Sequence, residues 1–154
     1  MALRGQRMNA ADFQDRIGTE IGVSDWMEIT QDRVNSFADA TDDYQWIHVD
    51  QEKAKAGPFG GTIAHGFLTL SLTVTLTSQV VLDVGSPRMS INYGLEKVRF
   101  PAPVPVGSRI RARVGLVSVT DVDGGIQVNR KVTIEVEGTE KPAMVAETVS
   151  RLYY

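Results

Sequence analysis

Four runs close the chain: Arg88 to Phe100, Ser108 to Val122, Ile126 to Glu137 and Pro142 to Tyr153, each long and β-rich. They are separated only by P-A-P-V-P-V-G, D-G-G and E-G-T-E-K, which is turn and loop chemistry. Consecutive strands joined this tightly pair antiparallel, because a parallel return needs a crossover of a dozen or more residues. The first half reads differently. N-A-A-D-F-Q-D-R-I-G predicts a short helix closed by Gly18, and W-M-E-I a brief strand before Thr30. Thr30 suits an N-cap, and Val34, Phe37, Ala38 and Thr41 recur at helical spacing, so Gln31 to Ala40 is expected to be an amphipathic helix. Asp50 can cap a second helix, Gln51 to Ala56, ended by Gly57 and Pro58, with the glycine-punctuated loop P-F-G-G-T-I-A-H-G behind it. Helices first and strands later predict an α+β fold with an antiparallel sheet. With 154 residues and no internal repeat, one domain spanning 1–154 is expected.

The run G-F-L-T-L-S-L-T-V-T-L-T-S-Q-V-V resists this reading. Leu68, Leu70, Leu72, Val74 and Leu76 alternate with Thr and Ser, the period of a half-buried strand. Phe67, Leu70, Val74 and Val81 also fall near one helical stripe, and the run is long for a strand. Periodicity alone favours the strand.

Candidate chemistry gathers in T-D-D-Y-Q-W-I-H-V-D, Thr41 to Asp50, where three carboxylates meet one of the chain's two histidines; the other is His65. Taken alone, the stretch reads as a solvated acidic loop, a metal site or an acid/base pair. The absence of cysteine excludes disulfides and thiolate metal sites. A net charge of -3 gives no basic footprint for nucleic acid, and the lack of both a signal-like segment and a long apolar run argues against membrane insertion. A cytoplasmic protein is expected.

Three separated motifs carry a resemblance. F-A-D-A-T-D-D-Y-Q-W-I-H-V-D, F-G-G-T-I-A-H-G and N-Y-G-L-E-K-V-R-F-P-A-P-V-P-V-G-S-R-I-R resemble, in order, the MaoC-like dehydratases or R-specific enoyl-CoA hydratases. Within them the chain looks like the subgroup related to nodulation protein N, from about Ile21 onward. The resemblance implies a hot-dog fold, a long antiparallel sheet wrapped around a central helix, and a homodimer in which two sheets run on. It makes Gly66 to Val80 that central helix, against the periodicity; a helix buried on most sides need show no clean amphipathic stripe. It also implies reversible addition of water to trans-2-enoyl thioesters, giving (R)-3-hydroxyacyl thioesters. No metal or redox cofactor is implied, coenzyme A being part of the substrate.

The family's aspartate and histidine, five residues apart, fall on Asp43 and His48. The chemistry agrees: hydration needs a base for water and an acid for the α-carbon, and two titratable groups a short loop apart can hold one water. Gly66, at the start of the implied helix, can offer its N–H to the thioester oxygen. Gln45 and Trp46 stand where many relatives carry Asn and Pro; Gln45 can still orient water or His48, and Trp46 can pack the loop. Thr73, Val74 and Thr75 stand near a serine that many relatives carry in the central helix. His65 is expected to fix the loop before that helix, Asp50 to act as a cap, and Asp42 to face solvent or a backbone amide. Arg109, Arg111 and Arg113 share one strand face, which reads either as a solvated face or as a stripe for coenzyme A phosphates; Arg88 and Arg99 are further candidates. A metal site from Asp43, His48, Asp50 and His65 is the sharp rival, though no recognised ligand spacing is present. Rival functions are an acyl-CoA thioesterase of the same fold and a non-catalytic acyl-thioester binding protein.

Overall fold

A computed structural model describes residues 6–154; the first five positions of the expected 1–154 domain lie outside the described residues. After a 3-10 helix, Ala10–Arg16, the elements are β1 (Glu20–Val23), β2 (Met27–Glu28), α1 (Gln31–Thr41), α2 (Trp46–Val49), α3 (Gln51–Lys55) and α4 (Gly66–Thr77). Four long strands follow: β3 (Met89–Arg99), β4 (Arg109–Val122), β5 (Gly125–Val136) and β6 (Met144–Tyr153). They form one antiparallel sheet in the order β1-β4-β5-β6-β3, with β2 also pairing to β4. The α+β reading holds, and each of the four predicted runs is a strand to within two residues of its ends.

Alternation explains the sheet. Along β4, Ile110, Ala112, Val114 and Leu116 point inward and are buried, and Val132, Ile134, Met144 and Ala146 of β5 and β6 complete the concave face. α4 lies against that face through Leu68, Leu72 and Leu76, which are spaced at one helical turn and join a single core with these strand residues other than Leu116. A second cluster, including Phe13, Leu82, Val119, Ile126 and Leu152, fills the other end under the 3-10 helix.

Gly66–Thr77 is therefore a helix, and the strand favoured by periodicity is corrected. The physical reason is a second apolar stripe. Phe67 and Val74, 70% and 57% exposed, lie on the side of the helix away from Leu68, Leu72 and Leu76, and Val81, 81% exposed, falls beyond its end at Thr77. Apolar side chains on both sides of a helix erase the polar face that helical periodicity depends on.

The smaller elements follow local chemistry. Thr30 caps α1, its Oγ1 accepting from the Arg33 N–H, and Asp50 caps α3 by accepting from Lys53 N–H. Thr41 to Asp50 is not wholly a loop: one turn of helix, α2, interrupts it. Asp42 ends α1 at φ 58°, a left-handed position that Asp tolerates better than most side chains. β1, which sequence periodicity did not reveal, pairs with β4 across a bulge.

Arg109, Arg111 and Arg113 stand on the outer face of β4, and all three are engaged. Arg109 pairs with Glu137, Arg111 and Arg113 share Glu135, and Arg113 also meets Glu20. The Arg111 guanidinium lies over the Trp26 ring at 4.3 Å. Ion pairing of this kind accords with the first of the two readings, a solvated strand face.

Candidate active site

Asp43, His48 and His65 come together between the end of α1, α2 and the start of α4. Gln31 on α1 fixes the frame: its Nε2 donates to the His48 carbonyl at 2.8 Å, and its Oε1 accepts from Thr62 Oγ1 at 2.6 Å. The loop before α4 is tied in turn, with Ile63 N–H donating to the Ile47 carbonyl and Ala64 N–H to the Val104 carbonyl.

The His48 ring is buried, and its Nδ1 is 2.7 Å from the Ile63 carbonyl. A carbonyl only accepts, so Nδ1 carries the hydrogen and the neutral ring presents Nε2 as a bare lone pair. Burial is the largest influence on its pKa, pushing it below the ordinary 6.5, and the adjacent His65 acts the same way. The Ile63 hydrogen bond and Asp43 oppose that shift without reversing it. In the unfolded chain the ring regains its ordinary value, so between that value and the folded one the unfolded state binds more protons. Stability is expected to fall as pH drops through this window, which lies below 6.5. An NMR titration of the ring should place the His48 midpoint below 6.5, and a midpoint at or above it would contradict this account.

His65, also buried, caps the start of α4; its Nε2 donates to the Asp43 carbonyl at 3.0 Å and stands 3.9 Å from the Asp43 carboxylate. It thus ties the segment that carries Asp43 to the start of α4, whereas the expectation from sequence is that it fixes the loop before that helix. Its Nδ1 is buried and unpartnered among the described residues. The two imidazoles stack, centroids 3.9 Å apart at 24°. The Asp43 side chain is 51% exposed at the mouth of the site.

One carboxylate oxygen of Asp43 and one ring nitrogen of each histidine lie within 4.8 Å of one another. That span suits a single water making two hydrogen bonds of about 2.8 Å at an open angle. It suits a metal ion poorly. Ligation uses lone pairs in the ring plane, and two near-parallel stacked rings do not converge on one ion. Asp50, the fourth member of the rival set, is occupied as the α3 cap.

Two cavities meet at this point. One of about 480 Å³ is mostly apolar, lined by Ile47, Phe59, Ile63, the segment Phe100 to Val104, and Ala143, with His48, Gly66 and Thr69 at its inner end. The other, about 380 Å³, contains Asp43, His65, Phe37, Thr41 and Phe67. His48, Gly66 and Phe100 line both. Gly66 is the first residue of α4, so its N–H has no intrahelical acceptor, and the residue lines both spaces.

The other expected site residues divide. Arg99 ends β3 beside Phe100, close to the cavities, whereas Arg88 precedes the other end of the same 11-residue strand and lines neither of them. Arg88 therefore does not share this cleft. The Gln45 side chain is exposed and makes no cap hydrogen bond, while Trp46 packs on Gly57. Thr73 is buried and donates to the Leu70 carbonyl. Gln31, Phe59 and Phe100 were not singled out from the sequence. The signal for Phe100 lay in its place just before three closely spaced prolines, read there only as a loop.

Comparison with known proteins gives a family model described as "MaoC like domain", matching residues 12–138. The 3-hydroxyacyl-thioester dehydratase Z of Mycobacterium tuberculosis (strain ATCC 25618 / H37Rv) is 56% identical over 144 residues, covering 93% of this chain and 95% of the relative. Nodulation protein N of Rhizobium leguminosarum bv. viciae is 41% identical over 149 residues, 96% of this chain and 92% of that protein. Among solved structures, an (R)-hydratase from A. caviae involved in PHA biosynthesis superposes with a TM-score of 0.72 at 25% identity, covering 88% of this chain and 96% of that one.

Proposed function

The chain belongs to the MaoC-like dehydratase family, and from that membership we propose that it reversibly adds water to trans-2-enoyl thioesters to give (R)-3-hydroxyacyl thioesters. It is a hydro-lyase with the hot-dog fold of its relatives. The observation that carries the residue assignment is the His48 ring, held with Nδ1 on the Ile63 carbonyl and Nε2 left as a lone pair, with one ring nitrogen within 4.8 Å of an Asp43 carboxylate oxygen.

In the proposed reaction one water sits between Asp43 and His48 Nε2. As its oxygen attacks C3 of the enoyl thioester, Nε2 takes one proton. The resulting imidazolium returns that proton to C2. The second hydrogen stays on the new hydroxyl and is held by Asp43, which also opposes the transient positive charge on the ring. Negative charge that develops on the thioester oxygen is met by the Gly66 N–H at the positive end of α4. The step balances without a metal or redox cofactor. Gly66→Val is expected to lower turnover about a hundredfold with a smaller change in KM, because a donor of this type acts mainly in the transition state. Equal losses in both would make Gly66 a spacer.

Two other activities fit the cleft less well. A thioesterase would direct water at the carbonyl, and a binding module would need neither Asp43 nor His48. Incubation with short and medium enoyl-CoA esters separates the three: loss of the conjugated absorbance without free thiol for a hydratase, thiol release for a thioesterase, saturable binding alone for a module.

The reading includes a second copy of the chain. Among the described residues β3 leaves one edge of the sheet unpaired, and Met89, Ile91, Tyr93 and Leu95 are exposed along it. Val74, on the exposed apolar side of α4 with Phe67, meets this strand at a pocket lined by Leu70, Val74, Asn92 and Leu95. Edge pairing between two copies extends the sheet and covers both apolar surfaces. Sedimentation at micromolar concentration should report a dimer; a monomer would contradict the pairing.

A further inference from the structure

Phe100 occupies an unusual place in the cleft. A Cβ added at Gly66 would lie 3.3–3.4 Å from the Phe100 ring carbons Cγ, Cδ1 and Cδ2, so the ring rests on the backbone that carries the proposed oxyanion donor. Phe100 is 38% exposed, a large aromatic at the mouth, and the Phe67 ring stands 6.3 Å away at 53°. It is one of three residues lining both cavities, the other two being His48 and Gly66. Its backbone is stiffened by Pro101, since the residue before proline is confined to extended conformations.

We propose that Phe100 is the positioning and specificity-determining residue of the cleft, its ring acting as the partition that seats the planar enoyl thioester on the Gly66 N–H and sends the acyl tail into the 480 Å³ cavity. This rests on the hydration reading above. The conjugated thioester is flat and must lie within reach of Gly66, where the face available to it is the aromatic ring. The tail then meets Phe59, Ile63, Val104 and Ala143, while the water side keeps Asp43 and His65. A four-carbon substrate has almost no tail, so the ring is its main positional restraint. An eight-carbon substrate is held by the cavity as well.

The test compares four- and eight-carbon enoyl-CoA esters across the wild type, Phe100→Ala, Phe100→Leu and Phe100→Tyr. Truncation should lower kcat/KM for the four-carbon ester roughly tenfold more than for the eight-carbon ester, because the short substrate loses its main restraint on both binding and orientation. Phe100→Tyr should restore the wild-type ratio to within about threefold, because it keeps the ring. Phe100→Leu, the milder truncation, covers the case in which Phe100→Ala fails to fold. Binding of saturated butanoyl- and octanoyl-CoA by calorimetry supplies a readout independent of hydration, with the preference shifting toward octanoyl in both truncated variants. Hydration by the wild type with equal losses at both chain lengths overturns the partition and leaves the hydration reading standing. Absence of hydration with the shift in binding preference intact overturns the hydration reading and leaves the partition. Absence of both activity and binding overturns the two together.

Discussion

His48→Gln is expected to lower turnover roughly a thousandfold while the protein remains folded. Glutamine keeps a polar amide of similar reach but has no lone-pair nitrogen that takes a proton near neutral pH. Asp43→Asn should cost roughly as much, because it removes the charge that holds the water and opposes the imidazolium. Groups that act as one unit are not additive, so the double variant should be little worse than either single one. Two neighbouring carboxylates serve as controls. Asp42→Asn leaves a residue equally at home at φ 58° and should be near neutral. Asp50→Ala removes the α3 cap and should cost about 1 kcal/mol of stability with activity largely kept. Activity of either pair variant within about tenfold of wild type would remove that residue from the proton chemistry.

The second large effect concerns α4. Leu72→Pro should leave no cooperatively folding protein. A proline there deletes a helix hydrogen bond and clashes with the preceding turn, costing about 3 kcal/mol or more. Loss of the buried Leu72 side chain from the face against Ile110 and Val132 adds roughly 2 kcal/mol or more. Together these approach the whole stability of a domain this size, about 5–15 kcal/mol. Circular dichroism with thermal melting measures it, and a wild-type transition in this variant would mean that α4 is not the centre of the core.

β4, β5 and β6 were legible because one face of the sheet is buried and the other is wetter, as Ile110, Ala112 and Val114 alternate with Arg109, Arg111 and Arg113; β3, exposed almost throughout, was legible only as a β-rich run. α4 was not legible by period, since Phe67 and Val74 stay apolar on the side away from Leu68, Leu72 and Leu76 and the Ser and Thr positions mimic alternation. The motif resemblance placed the helix where periodicity failed. It also pointed to Asp43 and His48, but nothing in their spacing gives the His48 tautomer. That depends on the Ile63 carbonyl, brought in from another loop. Gln31 escaped notice for the same reason: its two partners, His48 and Thr62, are 17 and 31 residues away. The arginine stripe was legible as a face and not as a ladder, because Glu20 and Glu135 reach it only through strand pairing.

The central claim is that Asp43 and His48 together deliver water to C3 of an enoyl thioester. Incubation with trans-2-enoyl-CoA in water enriched in oxygen-18, followed by mass spectrometry and chiral separation of the product, tests it most directly. The account predicts one heavy oxygen in the hydroxyl at C3, an intact thioester, and the (R) configuration. Heavy oxygen in a free carboxylate with release of thiol, or a product of (S) configuration, would contradict it.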